Sequence, residues 1–197
     1  NVTEKTQQFV FEGIKQRPVA VLLEDFSAPC IVNQDTSAAD LLHIMRFARS
    51  DFSRWDAQQR LFTNEMKAAI ASGEACLSDD ILFALKALID QREGDLALIA
   101  ELLKLPSYDT LAAEYAVIPV DDIIAVQNAF ESQIATHLTE SLVNCYNALE
   151  DDGSTSATAV AVRALKQLCL HYLAKTNHSD VSSLIIESAH SINMTNA

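Results

Sequence analysis

From Thr36 onward, apolar residues recur every three or four positions, the spacing that puts them on one face of a helix. Residues 37–49 set Leu41, Leu42, Met45 and Ala48 on one side. Residues 51–72 do the same with Phe52, Trp55, Leu61 or Phe62, Met66 and Ile70, and Gly73 follows as a stop. Ser78 caps a helix over 79–93, whose stripe is Ile81, Leu82, Leu85, Leu88 and Ile89 and which Gly94 ends. Asp95 opens 96–105, stopped by Pro106, and Ser107 caps a short helix to about Tyr115. The longest run goes from Val120 to about Leu149, with Ile123, Ile124, Phe130, Ile134, Leu138, Leu142 and Tyr146 in line. After a loop over 151–156, residues 157–174 carry Val160, Val162, Leu165, Leu168, Tyr172 and Leu173. Residues 180–193 then carry Val181, Leu184, Ile185 and Ile192. About eight amphipathic helices in series, joined by short loops, predict an α-solenoid, a superhelical array of packed pairs. No strict sequence repeat accompanies it.

The first 35 residues follow a different rule. Residues 6–11, 18–23 and 29–32 are short β-prone runs, and the last two each begin at a proline, so all three are predicted strands. Three strands alone make a poor sheet. They are expected to complete a sheet whose other strands lie elsewhere, or to pack on the helices. The expected fold is mainly α, an α-solenoid preceded by a short β segment, divided at 1–35 and 36–197.

Composition agrees with a helical chain. Among 197 residues there are 4 Gly and 4 Pro, where average usage would give about 14 and 10; a barrel or sandwich would need more. A net charge of −13 disfavours nucleic acid and anionic membranes as partners. No apolar run reaches the roughly 18–20 residues that span a bilayer. Cys30, Cys76, Cys145 and Cys169 are far apart in apolar settings and read as buried, reduced thiols, in keeping with a reducing compartment. The chain opens at Asn1 without a leader-like pattern and closes on Ser191–Ala197 without a helix stop, so both ends read as interior to a longer protein.

Chemistry is harder to find. The histidines are His43, His137, His171, His178 and His190, and no pair sits four apart with a Glu between, the spacing that places two imidazoles on one metal. His137 with Glu140 reads as a solvated pair on a long helix. His171 and His178 fall on a helix and a loop, and Cys169 and His171 face different ways. No cysteine has a neighbour in sequence that would lower its pKa. Asp79-Asp80, Asp121-Asp122 and Asp151-Asp152 fall at expected helix starts, where carboxylates suit the helix dipole. No catalytic or metal-binding residue is assigned, and the residues alone describe a non-catalytic helical module.

The densest stretch is Asp51-Phe-Ser-Arg-Trp-Asp-Ala-Gln-Gln-Arg60. Asp51 is expected to cap its helix, Phe52 and Trp55 to turn inward, and Asp56 to pair with Arg60, with Arg46 and Arg49 near enough to join. This stretch resembles the Asp-x-Phe-x-Arg-Trp-Asp/Glu-Ala-x-Gln signature of the bacterial alanyl aminopeptidase N type of zinc aminopeptidase. Upstream, Gln8-Phe-Val-Phe11, Pro18-Val-Ala-Val-Leu-Leu23 and Asp25-Phe-Ser-Ala-Pro29 resemble the end of that family's β-sandwich domain. Downstream, Ala100-Glu-Leu-Leu-Lys-Leu-Pro-Ser107, Ile118-Pro-Val-Asp121, Arg163-Ala-Leu-Lys-Gln-Leu-Cys-Leu170 and Asn193-Met-Thr195 follow in the family's order.

The resemblance implies a fragment: the end of a β-sandwich domain at 1–35 and the first part of a C-terminal superhelical domain at 36–197. It implies a cytoplasmic parent enzyme with a catalytic zinc, removing N-terminal amino acids from peptides. Partners would be the missing catalytic and remaining helical domains, with the helical domain enclosing the cleft. The family's zinc and catalytic motifs have no match here. A free-standing α-solenoid that binds a partner on its concave face is the alternative.

Overall fold

The computed structural model describes residues 3–23, 32–92 and 94–189. The described residues hold eight helices: α1 (Ala38–Phe47), α2 (Asp51–Ser72), α3 (Asp79–Gln91), α4 (Leu96–Leu102), α5 (Tyr108–Ala112), α6 (Val120–Ala148), α7 (Ala157–Leu173) and α8 (Val181–Ala189). Five begin on a serine. Ser37, Ser50, Ser78, Ser107 and Ser156 each accept a hydrogen bond from the backbone N–H three residues on, satisfying a donor that the helix cannot. The cap of α2 is therefore Ser50, and Asp51 sits in the first turn, where its charge meets the dipole.

Helix ends show where tertiary contacts override local signals. Gly73 closes α2 in the left-handed conformation, as its position predicts. α3 instead stops at Arg92, itself left-handed at φ 46°, two residues before Gly94. α4 ends at Leu102 rather than running to Pro106. Its last turn tightens, with Lys104 N–H donating to Glu101 O, and the Gln58 side chain takes the Lys104 carbonyl at 2.6 Å. α5 ends at Ala112, after which Glu114 and Tyr115 turn tightly back to Leu111 and Ala112.

The helices form a mainly α, solenoid-like array. α1 packs on α2, α3 on α6, and α7 on both α4 and α6, while α2 touches α4 and α6. Their shared core includes Leu61, Phe62, Met66, Leu85, Ile89, Leu102, Phe130, Ile134 and Tyr172, all fully buried. Both Leu61 and Phe62 turn inward. Four residues expected on buried stripes do not: Phe52, Ile124, Val160 and Ile185 are exposed. Among the described residues no helix is long and apolar enough to cross a membrane.

The strands expected over 6–11 and 18–23 do not form, and most of the third candidate, 29–32, lies outside the described residues. Strand geometry needs a neighbour to take its N–H and C=O groups, and none of the described residues provides a ladder. Phe11 is 75% exposed. Side chains, rather than a sheet, fasten this segment: Arg17 pairs with Asp40 of α1 at 2.6 Å, and Gln34 Nε2 donates to Ala20 O at 3.3 Å.

Candidate functional site

Three hollows gather the residues that carry chemistry. The first lies beside α1 and α2, encloses about 160 Å³, and is lined by Val21, Leu22, Val32, Ile44, Phe52 and Arg60 among others. The signature stretch forms its floor, and its polar side chains act as ties. Arg54 Nε donates to Met45 O at 2.9 Å, holding α1 against α2. Arg60 reaches back to Gln34 O and Thr36 Oγ1 at 3.1 and 3.3 Å, and meets Asp56 at 3.8 Å as expected. Phe52 and Trp55 touch ring to ring at 5.3 Å, with Phe52 on the exposed side. Arg46 lies over the Phe47 ring; with the described residues neither Arg46 nor Arg49 joins an ion pair. Gln58, fully buried, hands its amide to Lys104 O and accepts from Gln59 Nε2 at 2.7 Å. Arg54, Arg60 and Gln58 thereby tie α2 to α1, to the segment before α1 and to the end of α4, while the Gln59–Gln58 and Asp56–Arg60 contacts stay within α2.

The second hollow is an open groove of about 570 Å³ between α3 and α6, lined by Lys86, Asp90, Arg92, His137, Glu140, Ser141 and Asn144 among others. Lys86 pairs with Asp90 one turn on. Partial burial pushes the Asp90 carboxyl up, but hydrogen bonds from Lys86 and Ser141 outweigh it and hold it below the usual carboxylate range. His137 Nδ1 lies 2.9 Å from the Gln133 carbonyl. A carbonyl only accepts, so Nδ1 carries a proton. His137 and Glu140 are both exposed on this rim, a solvated pair as the spacing suggested. The groove offers charges of both signs to a small polar ligand.

The third, of about 230 Å³, sits where Pro106, Gln127, Glu131, His171 and Tyr172 meet. Glu131 accepts from Lys175 at 2.6 Å and faces His171 Nε2 at 3.1 Å. His178 Nδ1 accepts from the Asp180 N–H at 3.3 Å, next to the start of α8. Cys169 is buried while His171 is exposed, so the two face apart. Among the described residues no three His, Cys, Asp or Glu side chains converge as a metal would need.

The acidic pairs divide. Asp79, Asp80, Asp121 and Asp122 occupy first helical turns. Asp151 and Asp152 do not: they precede α7 by several residues. Asp151 Oδ1 accepts from Gly153 N–H and pairs with buried Arg163 at 2.8 Å, and Asp152 accepts from Ser154 N–H.

The thiols also depart from expectation. Cys76 is exposed, Cys145 and Cys169 are buried, and Cys30 lies outside the described residues. Cys145 and Cys169 meet across α6 and α7. A hydrogen bond from Cys169, assisted by Arg92, holds the Cys145 thiol below its ordinary range despite burial, while the same bond and burial push Cys169 up. No sequence neighbour signals this contact. It follows only once the two helices are known to lie antiparallel.

Two family descriptions match the chain: "Domain of unknown function (DUF3458) Ig-like fold" over residues 1–35 and "Domain of unknown function (DUF3458_C) ARM repeats" over residues 38–197. The chain is 37% identical to aminopeptidase N of Haemophilus influenzae over 182 residues, which is 90% of this chain and 21% of that protein. It is 35% identical to aminopeptidase N of Escherichia coli over 205 residues, 100% of this chain and 23% of that protein. The chain thus spans about a fifth of the length of these curated relatives. In fold it is similar to the crystal structure of Legionella pneumophila aminopeptidase A in complex with aspartic acid. That match has a TM-score of 0.82 and 24% identity, and covers 94% of this chain and 23% of that one.

Proposed function

We infer that this chain, which belongs to the DUF3458_C family of ARM-repeat domains, is a non-catalytic piece of a zinc-dependent aminopeptidase that releases N-terminal amino acids from peptides. The observation that carries the reading is the pairing of near-complete coverage of this chain with about a fifth of each aminopeptidase N. An Ig-like stretch followed at once by ARM repeats supports a boundary between a β-sandwich domain at 1–35 and a superhelical domain at 36–197.

In the parent enzyme zinc would supply Lewis-acid activation of water for hydrolysis of the first peptide bond of a substrate with a free N-terminus. The residues described here supply no convergent metal ligands, so that chemistry is assigned to the parent's other domains. This chain contributes a stiff wall of packed helices, and we assign it the role of enclosing the cleft and limiting access to peptides and small amides. The parent is assigned to the cytoplasm.

The test uses this chain and the full-length parent side by side. The parent is expected to bind zinc stoichiometrically and to hydrolyse alanyl-anilides, and this chain to do neither. Turnover by this chain, with bound zinc, would overturn its non-catalytic role. The parent should also cleave short peptides while sparing folded proteins with accessible N-termini; equal cleavage of both would overturn the enclosing role.

A further inference from the structure

Between α5 and α6 the chain turns a sharp corner and leaves apolar side chains outside. Pro119 takes φ −81° and ψ 76°, and the Val120 N–H donates back to Ile118 O at 3.1 Å, the geometry of an inverse γ-turn. The Ile123 N–H then donates to Pro119 O at 3.0 Å, which starts α6 with Ile123 and Val126 in the core. Their neighbours face the other way. Val117 is 87% exposed, and Ile118, Val120 and Ile124 are nearly half exposed. Val120 and Ile124 lie one turn apart on α6, so with the turn at Pro119 these β-branched side chains form one face.

The corner is held in place. Gln127 Nε2 donates to Pro106 O at 3.0 Å, and Lys67 of α2 pairs with Glu114 at 2.7 Å. Single exposed apolar residues are ordinary, but a cluster of them on a fixed backbone marks a surface that another body covers. Its rim is acidic. Asp121 and Asp122 are exposed in the first turn of α6, and Asp109 is exposed one turn before Ala113 at the end of α5. Among the described residues none of these carboxylates joins an ion pair, while Lys67 is already engaged by Glu114.

Charge selects the occupant. A second copy would bring two acidic rims together, and each chain carries a net charge of −13, so self-association through this face is opposed. An anionic lipid surface is repelled in the same way. What fits is an apolar surface surrounded by Lys or Arg. The chain covers 21% and 23% of two aminopeptidase N relatives, so most of the parent polypeptide lies outside it. We propose that the α5–α6 corner docks a basic-rimmed apolar surface in that remaining part of the parent, fastening the helical array to the rest of the enzyme. This rests on the reading of the chain as a piece of a longer enzyme.

The test places Val117→Cys in this chain and in the full-length parent, and follows alkylation of that residue by iodoacetamide through mass spectrometry of its peptide. Alkylation should run about a hundredfold slower in the native parent than in this chain, since a covered residue reacts only while its contact is open. The two rates should coincide in urea. Adding Asp121→Asn with Asp122→Asn should speed alkylation of the parent about tenfold by weakening the charged rim, and should leave the rate in this chain unchanged. Equal rates in the native parent and this chain would overturn the proposal. So would protection in this chain alone that grows with its concentration, the mark of a second copy, and so would protection in the parent that ignores the two Asn substitutions. Alanyl-anilide hydrolysis by the same parent separates the two readings. Activity without protection sinks the docking alone, and protection without activity upholds the docking while sinking the aminopeptidase assignment.

Discussion

Tyr172 of α7 donates its hydroxyl to the main-chain carbonyl of Leu103, 2.6 Å away and 69 residues earlier in the chain. Both residues are buried, and the carbonyl belongs to the end of α4, where the helix has no partner for it. Tyr172→Phe keeps the ring and strands the carbonyl. It should lower stability by about 1–2 kcal/mol. Urea unfolding should show a lower midpoint with an unchanged slope.

Burial, reinforced by Glu131, pushes the Tyr172 hydroxyl above its ordinary pKa of about 10. A group whose folded pKa is raised contributes fully below its unfolded pKa, and that contribution is lost as pH rises toward the folded value. The chain should therefore lose stability above about pH 10 more steeply than Tyr172→Phe does. Paired urea titrations at pH 8 and above would show the two curves converging; parallel curves would contradict it.

Ser50 and Asp51 are adjacent and play different parts at the start of α2. Ser50 Oγ accepts the Ser53 N–H, while Asp51 adds only charge near the helix start. Ser50→Ala should cost about 1 kcal/mol, and Asp51→Ala about 0.3–1 kcal/mol, shrinking with added salt. Thermal unfolding at low and high ionic strength separates the two.

The Arg163 side chain is 4% exposed, its Nη1 pairs with Asp151, and its Nε has no partner among the described atoms. Removing the carboxylate leaves a cation buried without its counter-charge. Asp151→Ala should lose about 3 kcal/mol, and the double change Asp151→Ala with Arg163→Met should recover much of it. A double-mutant cycle measures this coupling; a double variant less stable than Asp151→Ala alone would contradict it.

The helices were legible because their signals are local. A serine that accepts a bond three residues on, and apolar spacing within one helix, are written in adjacent residues. What escaped reading depends on partners distant in sequence. α4 stops early because Gln58 takes Lys104 O, and nothing between 96 and 105 says so. Arg92 ends α3 before Gly94, a left-handed residue without glycine's usual advantage. The strand-prone runs 6–11 and 18–23 have the right residues and no described neighbour to pair with. The Cys145–Cys169 contact is equally non-local, since it needs two helices to fold back on one another. The signature stretch is legible from its residues, and Arg60 meets Asp56 as its spacing predicts; Phe52 faces out instead of inward, and the carbonyls that Arg54 and Arg60 bind lie outside α2.

At 29 residues, α6 extends for about 44 Å and packs against α2, α3, α5 and α7. In a simple stack each repeat leans only on its neighbours, so end units can unravel alone. Here one rod is common to the early and late helices, so neither half can melt without stripping a face of α6. The array should therefore unfold as one unit from α2 to α7, with the slowest amide exchange in mid-α6 near Ile134 and fraying confined to α8 and the amino-terminal segment.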